Sequence, residues 1–426
     1  MKKKLLFDAT VIANAVYKNA SRSGIFFASY NILTGLVNSG KFDVYLYSNL
    51  KNVECLRSIV EDDKCLRGKV RIAPIFSKRD FAQAHWMLQK SECKRRKLGL
   101  RRKLYIKFRL FLAKFLSSSN RQKEEFLKTV SVYFSPMEAV PKEVCVFPNI
   151  RKFVFLHDAI PVLFPDFYPE MKKGGYWYQA LLDSLNKEDV YFANSQSTKN
   201  DFVRLFPQIE KDNIHVVPLA ASDNFYACKD EEIVSAARRK YHIPEKAKYI
   251  FSLCTLEPRK NLIFAAKNFI RFIKDNKLED LYLVLGGGHW DSFIRSLENE
   301  VENFEDYKKF IIRAGYVDDE DLAPLFSGAE FFIYPSLYEG FGMPVLEAMQ
   351  CGCPVICSET SSMPEVIGEA GLMFNPKDDK AFVKALERMY RDDDFRRESG
   401  QKGMLRAKNF SWKKTSDLIV EELEHV

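Results

Sequence analysis

"FFIYPSLYEGFGMPVLEAMQCG", residues 331–352, changes character halfway along. Phe331–Tyr334 is an unbroken apolar run closed by Pro335 and Ser336, the pattern of a strand covered on both faces of a parallel sheet. From Met343 onward the residues suit a helix, with Pro344 in its first turn and Gly352 at its end. Glu339 then lies in the strand-to-helix loop, and Glu347 about one turn into the helix. Such loops gather at the carboxyl edge of a parallel sheet, where ligands bind. Gly340 and Gly342 permit close backbone approach. The free N–H groups at the helix start favour phosphate oxygens, whereas a carboxylate favours neutral hydroxyls. The segment therefore predicts a diphosphate flanked by two polyols, as in a nucleotide sugar. A helix-capping loop with a solvated glutamate is the other reading of the same residues.

Working outward, the same rhythm repeats. Strands are expected at 4–8, 43–47, 132–136, 153–158 and 190–195, and again at 249–253, 281–286, 309–315, 331–336 and 354–358. Helix-length segments separate them. In 261–276, Leu262, Ala265, Phe269, Phe272 and Ile273 share one face. Alternating strands and helices imply an α/β architecture with two sheets. The break is expected near 218–232, giving domains at 1–221 and 222–409, with a C-terminal helix at about 410–426 as a candidate to pack back on the first. The chain of 426 residues is long enough for two cores.

No run of about 20 uncharged apolar residues is present, so no transmembrane helix is expected. "MKKKLLFDAT" reads as a lysine-flanked first strand and not as a signal peptide. Nine cysteines without framework spacing suggest reduced thiols and a cytoplasmic setting. Cys351 and Cys353 are expected to be structural. The net charge of +8 is local, because residues 94–116 hold ten Lys/Arg and no acid.

Residues 315–378 resemble the core of retaining glycosyltransferases of family 4, with Glu339 and Glu347 at the spacing of that family's E-x7-E motif. "FSLCTLEPRKNL" (251–262), "LVLGGG" (283–288), "FLHDAIP" (155–161), "ANSQSTKNDF" (193–202) and "VVPLA" (216–220) follow the family's order, leaving out roughly 50–130. The resemblance implies the GT-B fold: two Rossmann-like domains with parallel sheets facing an interdomain cleft. It implies that Glu347 binds the donor ribose and that Glu339 faces the transferred sugar, near the backbone of Gly340, Phe341, Gly342 and Met343. Lys260 would neutralise the departing diphosphate. A cation at a helix start is otherwise unfavourable, and an anionic ligand removes that conflict. Many relatives place an arginine where Thr255 stands, so Arg259 is expected to supply the second charge. His157 would contact donor sugar or acceptor across the cleft. Asp158 would orient it or cap the next turn. Gly24, Gly287, Tyr316 and Val317 complete the expected donor site.

No metal and no cofactor beyond the donor substrate are expected, and Asp319–Asp321 reads as the acidic first turn of a helix. "GGGH" (286–289) lacks a dinucleotide fingerprint. The expected reaction is hexosyl transfer with retention, mannose from GDP-mannose being the first choice. The expected acceptor is a glycan or lipid-linked glycan in surface polysaccharide synthesis. A nucleotide-sugar 2-epimerase and a non-catalytic membrane-associated scaffold are the alternatives. Residues 94–116 read as a basic amphipathic helix for an anionic membrane, peripheral on the inner face, or as a core helix with Leu104, Phe108, Phe111, Leu112 and Phe115 turned inward. No recognition fold for nucleic acid accompanies these charges.

Overall fold

A computed structural model describes residues 2–18, 24–95, 100–113, 120–169, 177–255, 257–288, 290–301 and 304–425. Its first sheet is built from β1 (Lys3–Asp8), β2 (Phe42–Tyr47), β3 (Val70–Ile72), β4 (Val132–Ser135), β5 (Arg151–Leu156), β6 (Val190–Ala193) and β7 (Ile214–Val216), in the order β3-β2-β1-β4-β5-β6-β7. The second contains β8 (Lys248–Leu253), β9 (Leu281–Gly286), β10 (Ile311–Gly315), β11 (Phe331–Tyr334), β12 (Val355–Ser358) and β13 (Leu372–Phe374), in the order β10-β9-β8-β11-β12-β13. Every pairing is parallel. The two sheets are α/β units of Rossmann type, as expected.

All ten expected strands are present. The three that the sequence did not reveal, β3, β7 and β13, have three residues each and lie at sheet edges. An edge strand is covered less completely, so its apolar run is short and broken; only one residue of each is buried. Central strands show the opposite. β4, β6, β11 and β12 are buried at every residue. Stacked rings fill one face of the first sheet, with Phe7 on Phe134 at 5.6 Å and Phe134 on Phe192 at 5.9 Å. That apolar cluster continues without a break to Phe251, Phe332 and Val345 of the second unit.

The C-terminal helix Trp412–Glu424 returns to the first unit. Thr415 Oγ1 donates to the Pro218 carbonyl at 2.6 Å, and Lys3 Nζ donates to that of Glu424 at 3.0 Å. It lies close against the helix Gly24–Asn38. A Cβ built on Gly35 would fall 1.8 Å from Ser416 Oγ and 2.5 Å from its Cβ. Gly35→Ala should therefore cost about 1–3 kcal/mol by overpacking, read from urea unfolding, and Ser416→Gly should restore most of the loss. No rescue would mean that the two helices do not meet at this point.

Among the described residues no helix is long and apolar enough to cross a membrane. Gly24, expected in the donor site, is not in the loop that directly follows β1. The helix Thr10–Lys18 intervenes, and Gly24 opens the next helix. Lys114, Phe115, His289 and most of "SSSN" (117–120) lie outside the described residues.

Candidate functional site

Strand order in the second sheet reverses between β8 and β11, which are hydrogen-bonded neighbours. A reversal point opens a crevice at the carboxyl edge. The loop after β8 carries the turn Pro258–Lys260, and the loop after β11 carries Ser336–Gly340. Adjacency of the two strands thus joins side chains far apart in the chain. Lys260 Nζ lies 2.7 Å from Glu339 Oε1, and Arg259 Nη1 lies 2.7 Å from the same oxygen. Ser336 Oγ donates to it at 2.6 Å and Tyr334 OH at 3.1 Å, while Lys260 also donates to Tyr334 OH at 2.7 Å. Every one of these contacts falls on Oε1, and Oε2 takes no bond among the described residues.

Glu339, Lys260 and Arg259 are all buried. Burial alone would raise the Glu339 carboxyl, but Lys260 and Arg259 hold it below its ordinary value. With Thr255 in place of arginine, it is Arg259 that joins Lys260 at this carboxylate. Arg259 Nε is buried and has no hydrogen-bond partner among the described residues.

The first sheet contributes from the opposite side. His157 follows β5, and its Nε2 is 2.8 Å from the Pro136 carbonyl after β4. A carbonyl only accepts, so the proton sits on Nε2 and the lone pair on Nδ1. Burial lowers the His157 pKa to about 4, so the ring is neutral at pH 7. Asp158 accepts the Ile160 N–H at 3.0 Å, a local turn that leads into the short helix Ile160–Leu163, whose cap position is Ala159. The Asp158 carboxyl is raised by burial and senses Arg259, Glu339 and Lys260, so the two edges face one cleft.

Hydrogen bonds fasten the two edges together. The Gly340 carbonyl accepts from Ser195 Oγ at 2.6 Å and Thr198 Oγ1 at 3.2 Å, and within the first unit Asn194 donates to the His157 carbonyl at 2.7 Å. Glu365 caps the helix Gln196–Leu205 through the N–H groups of Gln196 and Ser197, at 2.7 and 2.8 Å. Tyr338 OH donates to Asp201. A Cβ on Gly340 would meet the His157 carbonyl oxygen at 2.2 Å. Glycine is needed there for contact between the two halves, where the sequence had suggested contact with a ligand. Gly340→Ala is expected to separate the edges and slow turnover at least tenfold, since small misplacements in a catalytic cleft have effects of this size or larger. Solution scattering should report a more open particle; an unchanged particle with full activity would contradict this.

Glu347 stands apart from that cluster. It lines a cavity of about 220 Å³ with Gly24, Phe27 and Asn31 of the first unit, Met343, Asp319 and Leu322 of the second, and Trp412 of the C-terminal helix. Burial, and then Asp319, raises the Glu347 pKa to about 8. Tyr316 is 69% exposed and borders a shallow depression with Asp318, Asp319 and Glu320. Val317 is buried in the core, and Phe341 packs edge-on to Phe410 at 5.9 Å, so neither presents a side chain to a ligand. Gly342 (φ +103°) precedes the helix Met343–Gln350 as its cap, and Gly287 (φ +131°) crosses the loop after β8 so closely that a Cβ would meet the Cys254 carbonyl at 1.9 Å. Cys351 and Cys353 are buried free thiols, and Asp319–Asp321 opens the helix Asp319–Ser327. Among the described residues no group of three or more His, Cys, Asp or Glu is placed to hold a metal.

Sequence reasoning missed Ser336 and Tyr334 as partners of Glu339, although both stand in the opening segment. It also missed the tie through Ser195 and Thr198, whose only signal is a polar run after a buried strand. Trp412, whose Nε1 is buried without a partner among the described residues, gave no signal at all.

Comparison with known proteins places this geometry. Residues 234–406 match the family described as Glycosyl transferases group 1. The chain is 31% identical over 262 residues to O-antigen chain mannosyltransferase B of Escherichia coli, a match covering 62% of this chain and 67% of the relative. It is 30% identical over 296 residues to the serotype-specific mannosyltransferase WbdA of Escherichia coli, covering 69% of this chain but only 34% of that longer protein. Anabaena HepE, solved with UDP and glucose, superposes with a TM-score of 0.65 at 13% identity over 100% of both chains, a likeness of fold. Two Rossmann-like units with parallel sheets, an E-x7-E pair and these relatives agree: the fold is GT-B, and the chain belongs to the Glycosyl transferases group 1 family.

Proposed function

We propose that this glycosyltransferase moves a hexose from a nucleotide sugar to a glycan or lipid-linked acceptor in surface polysaccharide synthesis, with retention of anomeric configuration. The observation that carries the reading is the convergence of Lys260 and Arg259 on Glu339, at a cleft edge that Asp158 and the His157 carbonyl of the first unit face. Two buried cations suit a departing diphosphate, and the unpartnered Arg259 Nε has a donor to offer it. The Glu339 oxygen that takes no bond among the described residues and the His157 Nδ1 lone pair both suit sugar hydroxyls. Glu347 in its cavity suits a ribose diol.

In this scheme the acceptor oxygen approaches the anomeric carbon on the face the diphosphate leaves. The new C–O bond forms as the old one breaks, and the acceptor proton passes to a leaving phosphate oxygen. No side-chain nucleophile takes part. The protein positions the two substrates and excludes water. Lys260 and Arg259 supply the positive charge that stabilises the leaving group. The mannosyltransferase relatives make GDP-mannose the first donor to test.

The test is nucleoside diphosphate release across a panel of nucleotide sugars, with and without glycan acceptors, in the presence of a chelator. Release of GDP that requires both GDP-mannose and acceptor, with an α-linked product, is expected. Donor turnover without acceptor would point to an epimerase instead, and failure to bind any nucleotide would point to a scaffold.

A further inference from the structure

The helix Leu100–Ala113 keeps its longer apolar stripe off the protein. Ile106 and Ala113 are buried and Leu110 is half-buried. Leu104, Tyr105, Phe108, Phe111 and Leu112, the longer apolar series, are instead 41–57% exposed. At ~100° per residue these two sets lie on opposite sides of the helix. Of the two readings of this helix, the one with Leu104, Phe108, Phe111 and Leu112 turned into the core does not hold: the narrow stripe of smaller contacts packs inward and the broad one faces out. On the same wheel Lys103 and Lys107 border the outward stripe on one flank and Arg102 and Arg109 on the other, while Arg101 lies within it. All five cations are exposed. Arg109 also rests over the Trp86 ring, 5.0 Å from its centroid, and Tyr105 meets that ring edge-on at 5.8 Å. These contacts brace the helix from its neighbour Lys78–Arg95 without covering Leu104, Phe108 or Leu112.

The position matters as much as the pattern. The helix Lys78–Arg95 packs on the turn Leu50–Asn52 that follows β2, and Phe76 lies on Tyr47, the last residue of β2, at 5.9 Å. The pair of helices therefore rises from the carboxyl edge of the first sheet, the edge that His157 shares. Exposed apolar residues bordered by cations, with no acid from 94 to 116, match a surface that is negative outside and apolar just beneath. An ordinary acidic protein surface offers the charge but not the depth for Phe108 and Leu112.

We propose that Leu100–Ala113 docks this protein on an anionic lipid bilayer, with Leu104, Phe108 and Leu112 entering the headgroup boundary and the flanking lysines and arginines meeting lipid phosphates. The docked edge holds the cleft beside the membrane surface. The inference rests on the helix alone and does not depend on which donor or acceptor the cleft takes.

Vesicle flotation tests it. The full chain is mixed with phosphatidylcholine vesicles, either pure or doped with phosphatidylglycerol. Flotation with the doped vesicles, weakening as salt is raised, is expected. Replacing Arg101, Lys103 and Lys107 with glutamine should weaken partition about a hundredfold, each cation near such a surface contributing about fivefold. Phe108→Ser with Leu112→Ser should abolish flotation. Both variants change only exposed residues, so their melting temperatures should match the parent's. The proposal is overturned if the parent stays unbound with doped vesicles, or if it floats equally on pure phosphatidylcholine and ignores the charge change. It is also overturned if the apolar variant converts a dimer into a monomer while neither form floats, because the face would then join two copies of this chain.

Discussion

Glu339→Gln should leave a protein that still binds nucleoside diphosphate but transfers sugar two to three orders of magnitude more slowly. The carboxylate is the common partner of Lys260 and Arg259, at 2.7 Å from each. Removing one member of a buried ion pair leaves uncompensated charge and costs about 3–5 kcal/mol. At about 2–4 °C per kcal/mol for a unit of this size, the ligand-free variant should melt roughly 6–20 °C lower. A bound diphosphate would supply the missing negative charge, so its stabilising shift should be larger in the variant than in the parent. Transfer should nevertheless fall by about 10²–10³, the usual effect of losing one electrostatic contact to the reacting group. The acid limb of stability should change as well. The folded pKa of Glu339 is depressed, so its contribution is present above about pH 4.5, its ordinary value, and is lost as pH falls through the folded pKa. The glutamine variant lacks that loss. Normal transfer in Glu339→Gln would remove this residue from the reaction.

The second large effect concerns Glu347 and runs in the opposite direction. Its folded pKa is raised to about 8, so the folded protein keeps a proton that the unfolded chain releases near pH 4.5. Stability must then fall as pH rises between those values, by at most about 1.4 kcal/mol per unit. Glu347→Gln removes this decline, and the ligand-free variant should be the more stable protein at pH 8. In the proposed site a ribose diol hydrogen-bonded to the carboxylate would favour its ionised form, so binding should expel the proton. Nucleotide affinity should rise by up to tenfold per pH unit from pH 6 to 8 and level off above. In Glu347→Gln that rise should vanish, and affinity at pH 8 should fall roughly 10- to 150-fold, the worth of hydrogen bonds to a charged group. Calorimetric titration with GDP over this pH range measures both effects. A flat profile, unchanged by the substitution, would place the ribose elsewhere.

These two carboxylates show how far the sequence could be read. Each could be singled out as a candidate from its place in one strand–loop–helix segment, Glu339 in the loop and Glu347 about one turn into the helix. Their opposite electrostatics were not legible. Glu339 is held ionised because β8 lies beside β11, an adjacency fixed by the order in which strands join a sheet. Glu347 is pushed toward the neutral form because helices from three distant parts of the chain close a cavity over it. In the same way, the sequence marked Gly340 as a point of close approach, but the approaching group is the His157 carbonyl.

Local signals alone determined the α/β class, the ten well-covered strands, the strand–loop–helix unit at 331–352 and the helix at 262–276. They sufficed because complete burial leaves an unbroken apolar run, and because proline and glycine mark helix ends through their own backbone geometry. Tertiary structure alone decided three things: the short edge strands, the convergence of Arg259 and Lys260 on Glu339, and the outward turn of Leu104, Phe108 and Leu112. Each depends on what a residue packs against, and an amphipathic pattern records that a face is apolar without recording whether protein or something else will cover it.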